Sequence, residues 1–195
     1  MNQPRAIPII ETERLALTLP PPSVAARLLA FAQDNREHLA PWSPPVPQGY
    51  ETENFWRERL AAARREFAED ASLRLVLFRK SDGEGRVVGV CNFTYIMRGA
   101  FQACYLGYNL DRRDVGQGLM YEALNASIKY VFEELRLHRI MANYMPTNER
   151  SGRLLRRLGF TIEGYARDYL FIDGAWRDHI LTCLTNHQLK VHDEP

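Results

Sequence analysis

The sequence predicts an α/β fold: a mixed, mostly antiparallel sheet of about seven strands with helices on both faces. Three observations carry that expectation. Around residues 105–124, YLGYNLDRRDVGQGLMYEAL, the hydrophobic period changes. Cys104, Leu106, Tyr108 and Leu110 alternate with Ala103, Tyr105, Gly107 and Asn109, the period of two of a strand with one apolar face. Leu119, Met120, Ala123, Leu124, Ser127, Ile128, Val131, Phe132 and Leu135 then fall at helical spacing. Next, the predicted elements run strand, two helices, three strands, helix, strand, helix, two strands, an order that suits a mixed sheet covered on both faces and not an all-parallel one. Finally, 195 residues suit one domain, able to bury roughly 70% of the surface its unfolded form exposes.

Residues 12–19 alternate Leu15, Leu17 and Leu19 with Arg14, Ala16 and Thr18, a half-exposed strand closed by Pro20, Pro21 and Pro22. The domain is placed at 12–185, between an N-terminal extension, 1–11, and a C-terminal tail, 186–195. Ser23 is expected to cap a helix whose inner face is Val24, Leu28, Phe31 and Ala32 and which runs out before Pro41. The stretch 41–49, PWSPPVPQG, cannot be helix interior, and its prolines stiffen a loop that carries Trp42. Such a loop suits a wall of a substrate groove, and equally a connector with Trp42 tucked into the core.

Residues 53–68 read as a helix with Phe55, Trp56, Leu60, Ala63 and Phe67 inward, its outward Arg and Glu side chains assigned a solvating role. Residues 73–78 and 87–96 are strands joined by a glycine turn, SDGEG at 81–85, and 101–110 completes an antiparallel meander. After the central helix, 138–144 is a strand. Asn148 opens a short helix with Leu154, Leu155 and Leu158 inward, ended by Gly159. Residues 161–172 and 176–184 form a closing hairpin around Asp173 and Gly174.

Composition removes several function classes. Net charge is +1, with 25 Lys and Arg against 24 Asp and Glu, so no global field recruits nucleic acid and no DNA binding is expected. Arg5 and the charged run from Glu11 to Arg14 stand where a secretory apolar core would lie, and no stretch approaches a membrane span, so a cytoplasmic protein is expected. Cys91, Cys104 and Cys183 lie on strand-like segments with no C-x-x-C or paired-histidine spacing, which reads as buried free thiols; no metal is assigned.

Between the central strand and helix lies Arg113-Asp-Val-Gly116-Gln-Gly118, a turn whose glycines let backbone N–H groups converge on an anion at the positive end of the helix. The Walker spacer and its Lys-Ser/Thr pair are missing, and Tyr121 occupies the third glycine position of a dinucleotide fingerprint. Nucleoside triphosphates and adenine dinucleotides are therefore disfavoured. A helix start that merely carries two glycines has the same spelling.

The spacing Arg-x-x-Gly-x-Gly after such a strand resembles the acetyl-coenzyme A loop of the GNAT acetyltransferase superfamily. The segments ACYLGYNL, HRIMANYMPTNERSGRLLRRLGF and EGYARDYLFIDGAWRDHILT resemble the RimJ-type ribosomal-protein-alanine N-acetyltransferases, a likeness running from about residue 12 to residue 184. The resemblance implies the GNAT fold, acetyl-CoA as cosubstrate, and transfer to the N-terminal alanine of the fifth protein of the small ribosomal subunit, with an assembling subunit as a further partner. It implies that Asn109 and Leu110 offer backbone groups to the pantetheine arm and thioester, and that Arg113 with Val115, Gly116, Gln117, Gly118 and Leu119 holds the pyrophosphate. Asn148 would hydrogen-bond the arm, although an N-cap calls for the same residue type.

Ser151 matches a serine placed near the coenzyme sulfur in close relatives. Many GNAT enzymes carry an acid tyrosine one turn further on, where this chain has Leu155; a thiol of pKa about 8.5 leaves tolerably without help. For the base, the closing hairpin offers Asp168. A related enzyme has its carboxylate two residues on, where Leu170 stands here. Strand alternation puts Asp168 on the face of Leu170, within reach of an amine directly or through water, while a surface aspartate paired with Arg167 or Arg177 fits the same pattern. Glu163 is a second candidate, and one of Asp178 and His179 is expected to be a satisfied core group. Trp42, Tyr105 and Tyr169 are assigned to the acceptor groove, with Tyr108, Tyr144 and Tyr165 as further candidates or packing. An acyl-cysteine route is disfavoured, since Cys104 precedes the loop by too much strand. The alternatives are acetylation of a small amine, polyamine or lysine, and a non-catalytic module binding coenzyme A or a ribosome-assembly intermediate.

Overall fold

The computed structural model describes residues 5–82 and 85–189. Among these, β1 (Ile9–Glu11), β2 (Leu15–Thr18), β3 (Leu73–Arg79), β4 (Val87–Met97), β5 (Ala103–Leu110), β6 (Arg139–Met141), β7 (Thr161–Ile172) and β8 (Ala175–Thr185) form one sheet in the order β1-β2-β3-β4-β5-β6-β8-β7. The helices are α1 (Ala25–Asp34), α2 (Arg36–Leu39), α3 (Glu53–Ala68), α4 (Leu119–Glu133) and α5 (Glu149–Arg157). Every strand pair is antiparallel except β5 with β6, whose connection runs through α4, as a parallel crossover requires. The sheet has eight strands against the seven expected, because Ile9–Glu11, within the expected N-terminal extension, pairs with β2 as an edge strand.

Strand alternation sends side chains to two cores. Leu73, Leu75 and Leu77 of β3 join Leu15 and Leu17 of β2 under Leu119, Ala123 and Leu124 of α4. Val76 points the other way, against Ala25, Leu28 and Phe31 of α1 and Leu60 of α3. Helices therefore cover both faces, and each fully buried leucine contributes about 1.5–3 kcal/mol.

Four expectations need correction. Ser23 does not cap α1: it lies in a 3-10 turn, Pro22–Val24, whose first carbonyl accepts from the Ala25 N–H, so the prolines start helical structure early and α1 begins without a side-chain cap. The strand foreseen over 138–144 pairs only over Arg139–Met141, with one isolated bridge from Tyr144 to Ile180. The charges on α3 do more than solvate it. Glu66 accepts from Arg59, Arg74 and Ser72, and Arg64 donates to the Leu19 carbonyl at 2.9 Å, tying α3 to the sheet. Trp42 is 38% exposed and so is not tucked into the core. Of the turn expected at 81–85, residues 83 and 84 lie outside the described residues, as do 190–195 of the tail.

Candidate active site

The centre of the molecule is a gap between paired strands. β5 and β6 pair from Ala103 with Arg139 to Tyr105 with Met141, and no further. Over residues 106–110 β5 stays bonded to β4 alone, leaving its other edge free. A free edge presents N–H and C=O groups to an extended amide chain. Asn109 and Leu110 close that edge, and the chain then enters the glycine turn.

Gly116 has φ 83° and Gly118 φ 77°, left-handed values that favour glycine, and Gly118 is the N-cap of α4. A Cβ added at Gly116 would meet nothing within 4 Å, so the space beside the turn is open. The first N–H groups of α4 have no intrahelical acceptor and point into it, which suits a pyrophosphate. Val115 is extended ahead of the turn, and Leu119 is buried, so both offer backbone alone.

Below the turn lies a charge network that the sequence reading missed. Asp111 and Asp114 are buried. Arg86 pairs with both, at 2.9 and 2.8 Å, and Arg79 reaches Asp114 at 3.3 Å. Asn35 donates to Asp111 at 3.2 Å. Burial opposes ionisation of Asp111, but hydrogen bonds from the Arg113 side chain and backbone and from Asn35 overcome it and hold its carboxyl well below the usual range. The Arg113 guanidinium is committed to Asp111, through Nε at 2.9 Å and Nη2 at 2.7 Å, and to Asp34 at 3.0 Å. It braces the turn. Gln117 also braces it, accepting from Arg79 at 2.6 Å and donating to the Arg113 carbonyl at 3.0 Å, while Arg14 donates to the Gln117 carbonyl at 3.0 Å. Asp-Arg-Arg-Asp immediately after a strand was the available signal, since an aspartate there caps the 3-10 turn Arg112–Asp114.

Across the gap, Asn148 caps α5: its Oδ1 accepts from the Ser151 N–H at 3.2 Å, which leaves the amide nitrogen outside the cap. The Ser151 hydroxyl lies 2.7 Å from the Tyr108 hydroxyl, so a side chain of α5 and one of β5 meet where the strands part. Burial pushes the Tyr108 hydroxyl up to about 12. Leu155 is buried and offers no proton.

A groove of about 470 Å³ opens beside Asn109, lined by Pro44, Pro45, Val46 and Tyr50 from the proline-rich stretch and its sequel, and by Asp173 and Gly174 at the tip of the closing hairpin. The proline loop is thus a groove wall, though Trp42 is not in the lining. Glu51 and Asp173 are the groove carboxylates; Glu51 is paired with Arg36 at 2.5 Å. Asp173, met in the sequence only as a turn residue, comes to the site because the hairpin folds back over it.

Tyr105 and Tyr169 lie outside that lining. Tyr105 packs on Tyr95 with ring centroids 6.4 Å apart, and the Tyr169 hydroxyl accepts from Asn143 at 3.0 Å. Asp168 is exposed in a bulge between Ala166 and Leu170 with φ 47°, so the face it was expected to share with Leu170 does not follow from alternation. Its backbone N–H donates to Asp178 at 2.9 Å, and among the described residues it forms no ion pair with Arg167 or Arg177. Glu163 is paired with Arg139 and Asp178 accepts from Tyr165, while His179 is the core polar group, 3% exposed. All three cysteines are buried and free, and burial pushes the Cys104 thiol up to about 12, which leaves it inert.

Residues 14–161 match the acetyltransferase (GNAT) domain family. The chain belongs to the GNAT acetyltransferase family. Within it, the chain is 45% identical over 176 residues to the [ribosomal protein uS5]-alanine N-acetyltransferase of Escherichia coli (strain K12), covering 90% of each chain. Its structure superposes on the ribosomal-protein-S5-alanine acetyltransferase of Vibrio fischeri with a TM-score of 0.89 at 37% identity, covering 94% of this chain and 99% of that one. Mycobacterium smegmatis RimJ in complex with CoA-disulfide gives 0.84 at 26% identity, over 95% and 90% of the two chains. No helix among the described residues of this GNAT chain is long and apolar enough to cross a membrane.

Proposed function

We propose that this GNAT chain transfers acetyl from acetyl-CoA to the N-terminal alanine amine of a small-subunit ribosomal protein, in the cytoplasm where such proteins are made. The observation that carries the reading is that the free β5 edge reaches Asn109 in the lining of the groove walled by the proline loop and then runs directly into the open glycine turn of Gly116 and Gly118 at the start of α4. The likeness to two ribosomal-protein-alanine acetyltransferases supports the acceptor class.

Acetyl-CoA supplies the activated acyl group; the chain's residues do the rest. Backbone N–H groups at the end of β5 steady the charge that develops on the acyl oxygen. Ser151 hydrogen-bonds the departing sulfur. Asp168 takes the surplus proton of the amine through water, and Asp173, in the groove wall, draws the ammonium in. The C–N bond forms as the C–S bond breaks, and the proton lost by nitrogen reaches sulfur through solvent.

Only the neutral amine attacks. An α-amine of pKa about 7.8 is roughly one-tenth neutral at pH 7, whereas a lysine near 10.4 is neutral to about one part in 10³·⁴, a gap of about 3.5 kcal/mol that one modest base does not close. The test is a pair of peptides, one with a free N-terminal alanine and no lysine, the other N-terminally blocked with one internal lysine. Transfer is expected on the first alone; comparable acetylation of the blocked peptide would overturn the α-amine assignment.

A further inference from the structure

We propose that Tyr108 is a positioning residue, holding Ser151 so that the serine proton faces the leaving sulfur. The inference rests on the reading of Ser151 given above and adds a second residue to the step. Tyr108 lies on β5 beyond the point at which β6 stops pairing with it, and Ser151 stands in the first turn of α5. Their hydroxyl oxygens are 2.7 Å apart, and each alone could act as donor. Two facts choose the direction. The phenol is the more acidic hydroxyl and so the better donor. Moreover, among the described residues the Tyr108 hydroxyl is hydrogen-bonded to Ser151 and to no carboxylate that would compete for the phenol proton.

With Tyr108 donating to Ser151 Oγ, the serine hydrogen is left to point elsewhere. The Asn148 cap fixes the backbone of Ser151, and Tyr144 closes the floor beneath the neighbouring Gly152, so the free direction is the gap itself. Because Tyr108 stays protonated up to about 12, this arrangement holds throughout the pH range in which an α-amine reacts. As the C–S bond breaks and its electron pair moves to sulfur, Ser151 donates a hydrogen bond to that charge and Tyr108 keeps its own proton. No proton is consumed from the pair.

Tyr108→Phe keeps the ring and its packing and removes only the hydroxyl. Single-turnover acetyl transfer to an alanine-ended peptide should slow about tenfold, the scale of one hydrogen bond to a charged group, while acetyl-CoA affinity by calorimetry stays within twofold. Ser151→Ala should slow transfer at least as much. The double variant should fall no further than Ser151→Ala alone, because the two hydroxyls act as one unit. In a Ser151→Thr background, which retains the hydroxyl, Tyr108→Phe should cost its full factor again. If Tyr108→Phe leaves the rate unchanged, or costs the same factor with and without the Ser151 hydroxyl, the inference is overturned while the reading of the site stands. A wild-type chain that transfers no acetyl to any alanine-ended peptide removes both.

Discussion

Gly116 and Gly118 are glycines for a backbone reason, and at Gly116 the space beyond the Cα is kept clear as well. Gly116→Val should cost about 1–2 kcal/mol of stability from its left-handed φ and leave the fold intact. Its side chain would occupy the open space beside the turn at the start of α4, so acetyl-CoA affinity by calorimetry should be lost; an unchanged dissociation constant would move the anion seat elsewhere. The hairpin aspartates divide differently. Asp168→Asn should lower kcat by about 10²-fold with little effect on cofactor affinity, as removal of a general base does. Asp173→Asn, in the groove wall, should instead raise KM for the peptide. Steady-state kinetics on both variants separates the roles, and a kcat defect confined to Asp173→Asn would transfer the base to the hairpin tip.

At the scale of elements, the seat of α5 decides where Ser151 stands. Gly152 is buried against Tyr144, whose ring carbons and hydroxyl would lie 2.7–2.9 Å from an added Cβ. The helix can approach so closely only because that Cβ is absent. Gly152→Ala should force helix and ring apart, at about 1–3 kcal/mol, lowering the melting temperature by roughly 2–10 °C and slowing transfer as Ser151 withdraws from the gap. Full activity with an unchanged melting temperature would mean that Tyr144 gives way at no cost. β7 is the contrasting case: its bulge lets Asp168 leave the register of its neighbours, which a regular strand would forbid.

For the molecule as a whole, the depressed carboxylates set the response to acid. In Glu66, Asp70, Asp111 and Glu122, burial opposes ionisation, and hydrogen bonds, chiefly from arginines, overcome it. A carboxylate whose folded value is lowered stabilises the fold above its unfolded value and loses that contribution as pH falls through the folded one. For Glu66, held at about 2 against 4.5, the window runs from about pH 4.5 down to 2. Denaturant unfolding should therefore show falling stability below about pH 4.5, and Glu66→Gln should flatten the curve by of order 1–2 kcal/mol after solvent screening. A variant whose pH profile parallels that of the wild type would show that Glu66 does not link α3 to the sheet. Apart from β1 and the four-residue α2, the order of strands and helices was legible in the sequence, as were the extent of α3, the start of α4 at Gly118 and the closing hairpin, because period, prolines and glycines report local backbone geometry and each signal lies within one element. The free edge of β5, the pairing of Arg79 and Arg86 with Asp111 and Asp114, the placement of Asp173 in the groove and the Tyr108–Ser151 pair were decided by tertiary structure. Tyr108 and Ser151 are 43 residues apart, and what brings them together is the point at which β6 stops pairing with β5 and the depth to which α5 settles on Tyr144. Both depend on how finished elements pack, which no residue spacing along a single strand or helix encodes.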